Sequence, residues 1–269
     1  MTHWHPSVLA GLGALLALYL AGIGPLRRRY RLAPAAAVDP ASVAAFVGGV
    51  LAMGVALSGP LAEWAEHVAA SAHMLQHLVL TLVVPPLWLM GTPGWLWRPL
   101  LSVPGVAVTG HVLTRPAVAL GLAGATLVFW HMPVFFDAAL RHEAIHIVEH
   151  LTLLGTALLA WWPLAGPLRE WPRPPEPAQL LYVLLSTLPM TAVASFVTLA
   201  DRVLYPFYAA AQAPWPLAPR ADQELAGTLM WTGGMLVYLA AGTVVFFRWA
   251  AAEARAEAGH GLPLSVQDV

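Results

Sequence analysis

Seven stretches of this chain, at roughly 7–26, 41–59, 71–90, 116–133, 143–163, 179–200 and 225–248, each match the length of a helix that crosses a bilayer and carry almost no charge. Hydrocarbon offers the backbone no water to bond, so each run has to close its own hydrogen bonds as a helix. The breaks between them, including GPLRRRYRLAP, GTPGWLWRPL and PLAGPLREWPRPPEP, collect the Pro, Gly and Arg that end helices. With 59% hydrophobic and 10% charged residues, the chain has the composition of an integral membrane protein. The expected fold is all-α: a polytopic membrane helical bundle of about seven transmembrane helices, with residues 1–250 as a single domain and 251–269 as a frayed cytoplasmic tail.

Every basic residue is Arg, and positive charge is retained in cytoplasmic loops. With the amino terminus outside and the carboxyl terminus cytoplasmic, the inner segments hold Arg27, Arg28, Arg29, Arg31, Arg98, Arg115, Arg169, Arg173, Arg248 and Arg255. The outer segments hold only Arg141, Arg202 and Arg220, so the bias favours this orientation. The first run lacks a basic leader and a small-residue cleavage site and reads as a retained span. Trp64, Trp95, Trp97, Trp161, Trp162, Trp231 and Trp249 fall near span ends, as interfacial anchors do. A net charge of −1 with no basic stripe argues against nucleic acid as a partner. The absence of Cys removes disulfides, iron–sulfur ligation and thiolate copper sites.

Against this apolar background stand His73 and His77 in AHMLQHLVL, His131 in FWHMP, and His142, His146 and His150 in RHEAIHIVEH. Residues four apart share a helix face, and ionisable side chains within a bilayer mark functional sites. The orientation above places all six in the outer half of the membrane or at its rim, with His3, His5 and His67 also outside. His142 and His150 are separated by about 12 Å of helical rise, so one ion cannot take all three of that series. An adjacent pair completed by His73, His77 and His131 gives a three- or four-nitrogen site, or two stacked sites. Imidazole suits Cu, Zn, Fe and Ni, and the neighbouring Met74 and Met132 tilt the choice towards Cu(I). Glu143 and Glu149, three residues either side of His146, fit a second shell that orients imidazoles, while Asp137, Glu63 and Glu66 are placed to guide cations inward or to serve as ordinary solvated acids. Interhelical hydrogen bonding is the structural alternative for any single His. Pro189 predicts a kink in the sixth span.

HMLQHLVL at 73–80, WHMP at 130–133, the run of His leading into WWPL at 161–164, and DQELAGTLMW at 222–231 together resemble the CtaG family of caa-type cytochrome c oxidase assembly factors. The likeness runs from about the second span to the seventh. It implies a seven-helix protein of the bacterial cytoplasmic membrane that handles copper and works with oxidase subunits or a copper-delivery protein. The six histidines take the places of the family's histidines, and Asp222 and Gln223 those of its DQ pair. For this acidic segment, capping its own helix is the structural reading. Two other chemistries remain open from the residues: a histidine-ligated di-metal oxygenase and a b-type haem protein. A metal transporter would need polar residues through the inner half, where spans three and five turn apolar.

Overall fold

The computed structural model describes residues 5–30, 38–211 and 215–260; His3, Arg31 and residues 261–269 of the expected tail lie outside them. The chain opens with α1 (Pro6–Ala21), a π-helical turn (Gly22–Leu26) and α2 (Arg27–Tyr30), followed by α3 (Pro40–Leu57) and the short α4 (Pro60–His67). Next come α5 (Ala70–Leu78), a second π-helical turn (Val79–Val83) and α6 (Val84–Gly91). Then follow α7 (Gly94–Leu101), α8 (Val106–Leu113), α9 (Pro116–His131), α10 (Pro133–Arg141), α11 (Glu143–Ala165), α12 (Glu176–Thr198), α13 (Pro206–Ala209) and α14 (Pro219–His260). Helices α1, α3, α4, α9, α10, α13 and α14 all begin at Pro, whose fixed φ suits a first turn and whose missing N–H would have no helical partner there.

Six helical stretches among the described residues are long and apolar enough to cross a membrane, or seven if α8 and α9, bent by 75°, form one broken span. Large apolar side chains such as Leu51, Val55, Leu151, Leu184, Leu236 and Leu239 cover the outside of the bundle, as lipid contact requires. The chain is a multi-pass, all-helical membrane protein. Helices α4, α7, α10 and α13 were not legible as separate elements, being too short to give an apolar run of spanning length.

Proline also fastens the middle of the bundle. Pro85 has no N–H to give the carbonyl of Thr81, which accepts instead from Trp161 Nε1 at 2.9 Å. A third-span helix interrupted by Pro85 and Pro86 is thereby joined to α11, and the π-helical turn lies directly before the interruption. Trp161 and Trp162 are consequently buried, not interfacial: Trp162 Nε1 donates to the Trp171 carbonyl. Pro189, the residue expected to kink the sixth span, lies inside α12, which is continuous from Glu176 to Thr198.

The largest helix pairing joins α12 to α14, and it depends on close approach. A Cβ on Gly227 would collide with the hydroxyl of Thr198 and come within 2.8 Å of its backbone nitrogen. Small residues at such contacts are how membrane helices reach packing distance where no hydrophobic force distinguishes lipid from protein. The expected frayed tail is instead helical through His260, because AAEARAEA consists of strong helix formers and Trp249 Nε1 reaches Glu253 one turn on.

Gly227→Ala is expected to destabilise the detergent-solubilised protein by about 1–3 kcal/mol through overpacking. Gly155→Ala, where an added Cβ meets nothing within 4 Å, is the matched control and should be neutral or slightly stabilising. Thermal unfolding of the two variants checks the difference.

Candidate metal centre

The site is built at one end of the bundle, where α5 and α11 begin and α9 ends. Asp222, at the start of α14, places the first of these. Its carboxylate accepts from the backbone N–H of Ala70 at 2.7 Å, from the Ser71 hydroxyl at 2.5 Å and from Trp215 Nε1 at 3.0 Å. Ala69, the N-cap residue of α5, has no side chain able to cap, so an acid from another helix supplies the group that its unpaired N–H donors need. The expectation that Asp222 caps its own helix is thus replaced by a cap given to α5. Gln223 beside it accepts from Leu204 N at 2.6 Å and donates to the carbonyls of Val197 and Arg202, fixing the loop that carries Tyr205 and Tyr208.

With α5 so placed, His73 and His77 point into the bundle, fully or almost fully buried. One ligand atom each from His73, His77, Glu149 and His150 lies within 4.8 Å of the others. The His73 and His77 Nε2 atoms are 2.8 Å apart, and the Glu149 carboxylate is 3.9 Å from the first and 3.8 Å from the second. His131 and His146 flank this set, their ring centroids 5.5 Å from those of His77 and His73 respectively. Five of the six expected histidines therefore converge.

His142 does not. α11 starts at Glu143, and His142 is its exposed N-cap residue with φ −135° and ψ 107°, so the four-residue spacing to His146 no longer places it on the same face. Asp137 is likewise tied down, accepting from the Phe207 N–H and pairing with Arg141. Neither Met74 nor Met132 joins the donor set: the first packs in the apolar core and the second is half exposed. The thioether argument for Cu(I) loses its support.

Tautomers are set by neighbours that the sequence did not announce. Tyr208 donates to the Ala65 carbonyl, and His73 Nδ1 lies 3.0 Å from the Tyr208 oxygen and 3.3 Å from that carbonyl. The proton of His73 therefore belongs on Nδ1, leaving the Nε2 lone pair facing His77 and Glu149. Burial, with the carboxylates of Glu149, Asp222 and Glu66 nearby, pushes the Tyr208 phenol well above its ordinary range and keeps it a donor. His131 Nδ1 gives its proton to the Leu127 carbonyl at 2.8 Å, and Tyr205 bonds the carbonyl of His131 itself. Phe136 fills the space between, with its ring 4.9 Å from His73 and 4.1 Å from Tyr205. A Tyr-Pro-Phe-Tyr segment at the same membrane end was the available signal for this second layer.

The donor chemistry fits a transition metal. His77 Nδ1, His131 Nε2, His146 Nε2, His150 Nε2 and both Glu149 oxygens are buried without a hydrogen-bond partner. Buried polar atoms are ordinarily satisfied, and buried carboxylates are paired or ligate metals. Donors converging this closely also leave no slot for a porphyrin between facing imidazoles, which weighs against haem. Removing the α5 cap tests the construction: Asp222→Ala should cost about 1–2 kcal/mol in unfolding measurements, with Asp222→Asn keeping part of that because its amide oxygen still accepts.

Uncharacterized proteins of Mycobacterium bovis and Mycobacterium tuberculosis are each 26% identical over 95% of this chain, and one of Mycobacterium leprae is 22% identical over 67% of it. The chain spans two fifths of the length of the first two, 40%, and 30% of the third. No solved structure matches. The pattern shared by the family described as cytochrome c oxidase caa3 assembly factor (Caa3_CtaG) matches residues 17–252, and the chain belongs to that family.

Proposed function

We propose that this protein is an assembly factor of the bacterial cytoplasmic membrane that takes up copper at the outer face, holds it on His73, His77, His150 and Glu149, and yields it to a cytochrome c oxidase subunit or a copper-delivery protein. The observation that carries the reading is the convergence of unsatisfied donors: three imidazoles and a carboxylate in one buried set, with two further imidazoles beside it. Copper is the cargo here, not a resident cofactor. A set of three nitrogens and one oxygen suits Cu(II), which such ligands bind more tightly than the other divalent first-row metals. The outer location rests on the arginine bias: ten of the thirteen arginines fall in the segments assigned to the opposite end of the bundle, where Arg173 and Arg248 gather, and only Arg141, Arg202 and Arg220 in those of the histidine end.

Binding requires one proton to move within His77. At 2.8 Å the two Nε2 atoms share an N–H···N bond, with His77 as donor because His73 carries its proton on Nδ1. For His77 to present its Nε2 lone pair, that proton would move to its Nδ1, which has no partner, and small ring rotations would let both Nε2 atoms face one ion. Below the site the space between α9, α11 and α12 is lined by Leu120, Leu127, Leu153 and Met190 with the hydroxyl residues Thr81, Thr156, Ser186 and Tyr238, and by no imidazole or charged residue, so the nitrogen and carboxylate donors stop at the site, which favours storage and return over passage through the membrane.

Elemental analysis of purified protein loaded with copper is the direct test. One tightly bound ion per chain is expected in the wild type and in His142→Ala, while His77→Ala and Glu149→Leu should each lose it. Tyr208→Phe, which removes one of the two acceptors near His73 Nδ1 together with the bond to the Ala65 carbonyl, should weaken binding by about 10–100-fold. Full occupancy in His77→Ala would return the histidines to a structural role.

In cells, deletion should abolish oxidase activity and the haem–copper spectrum while the oxidase polypeptides are still made. Raised external copper should restore part of the activity by mass action. An oxygenase would behave otherwise: its loss would alter a lipid or metabolite and copper would not correct it.

A further inference from the structure

A cleft of about 530 Å³ runs down the side of the bundle from the histidine end. Its upper walls are His5 from the amino-terminal edge of α1, Glu66 and His67 from α4, and Glu143 and His146 from the first turns of α11; His150 lies deeper. None of His5, Glu66, His67 or Glu143 belongs to the buried donor set. His5 Nε2 stands 3.9 Å from the Glu66 carboxylate, and His67 Nδ1 turns to the Glu63 carbonyl at 3.3 Å, leaving its other nitrogen for the cleft. His146 joins the two regions, lining the cleft while its ring stacks 4.1 Å from that of His150. Both have a buried Nε2 with no partner.

We propose that this cleft is the loading route of the metal centre: a borderline transition cation leaves water onto Glu66, His67 and His5, passes to His146, and reaches the buried set through His150. The inference rests on the metal-binding reading above and names how that site is filled. A cation entering a buried site gives up its hydration shell, and the barrier to doing so falls when ligands replace waters one at a time. The cleft provides that succession, since each polar group has the next on the adjoining turn or facing helix. Glu66 and Glu143 give the mouth the charge that attracts a cation, and Arg141, which also lines the cleft, is neutralised by Asp137 at 2.7 Å. Burial raises the Glu66 carboxyl above its ordinary range, and the nearby His5 and His67 draw it back. Below His146 the walls turn apolar at Leu80, Ile147, Leu151 and Leu154, which keeps water from following.

The test separates the rate of filling from the final content. Wild-type protein and the double variant Glu66→Gln/His67→Ala, in lipid nanodiscs, are mixed with Cu(II) held by a weak chelator, and uptake is followed by stopped-flow quenching of tryptophan fluorescence. The double variant should load about tenfold or more slowly, in keeping with what charge focusing in a cleft contributes to association rates, and reach the same copper content at equilibrium. Ile147→Trp, which fills the cleft without touching a polar group, should also slow loading. Unchanged rates in both variants would overturn the route. A fall in final content equal to that of His77→Ala would overturn it differently, making Glu66 and His67 part of the site itself. If the wild type takes up no copper, the failure lies with the metal-binding reading.

Discussion

The carboxylate of Asp222 is the contact on which the site depends. It sits at the head of α14 yet serves the first turn of α5, so the last long helix of the chain places the third span. A helix start buried without a cap leaves N–H groups unsatisfied, and in a membrane protein no solvent is at hand to repair this. Because α5 carries two of the four converging donors, an interaction between residues about 150 positions apart sets the imidazole geometry. The adjacent Gln223 does the same for the loop that brings Tyr205 and Tyr208 over the top. The paired residues are structural in what they touch and functional in what they place.

The histidines were legible because a polar residue in an apolar run has few reasons to be there, and a four-residue spacing converts directly into a shared face. That argument holds only inside a helix. It succeeded for His73 with His77 and for His146 with His150, and failed for His142, where the chain leaves α10 and enters α11 with no Gly or Pro to mark the break. Glu149 shows a different limit. Its spacing from His146 placed it correctly on the histidine face, but its role depends on where α5 lies, and helix periodicity is silent on that. The Asp222 cap was hidden for the same reason: sequence shows a cap-competent acid but not whose amides it meets.

The same distinction governs the fold. Apolar length disclosed the spans, since the bilayer imposes it on each segment separately. The short helices α4, α7, α10 and α13 answer to no such length, and three of them contribute directly to the site: α4 through the Ala65 carbonyl that receives Tyr208, α10 through Phe136 and α13 through Tyr208 itself. Trp161 and Trp162 were misplaced because nearness to a span end predicts depth but not rotation about the helix axis, and their indoles turn inward to carbonyls.

The length of α14 gives the molecule a mechanical character. Its 42 residues make a rod of about 63 Å, roughly twice the thickness of the hydrocarbon it crosses. One end of this rod holds the anchor of the histidine-bearing α5, and the other projects several turns past the bundle as a handle rich in Ala, Glu and Arg. No break intervenes, and within the bundle the rod is clamped against α12 at Gly227 on Thr198, Gly234 on Met190 and Gly242 on Val183, so the handle extends from a shaft held at several levels.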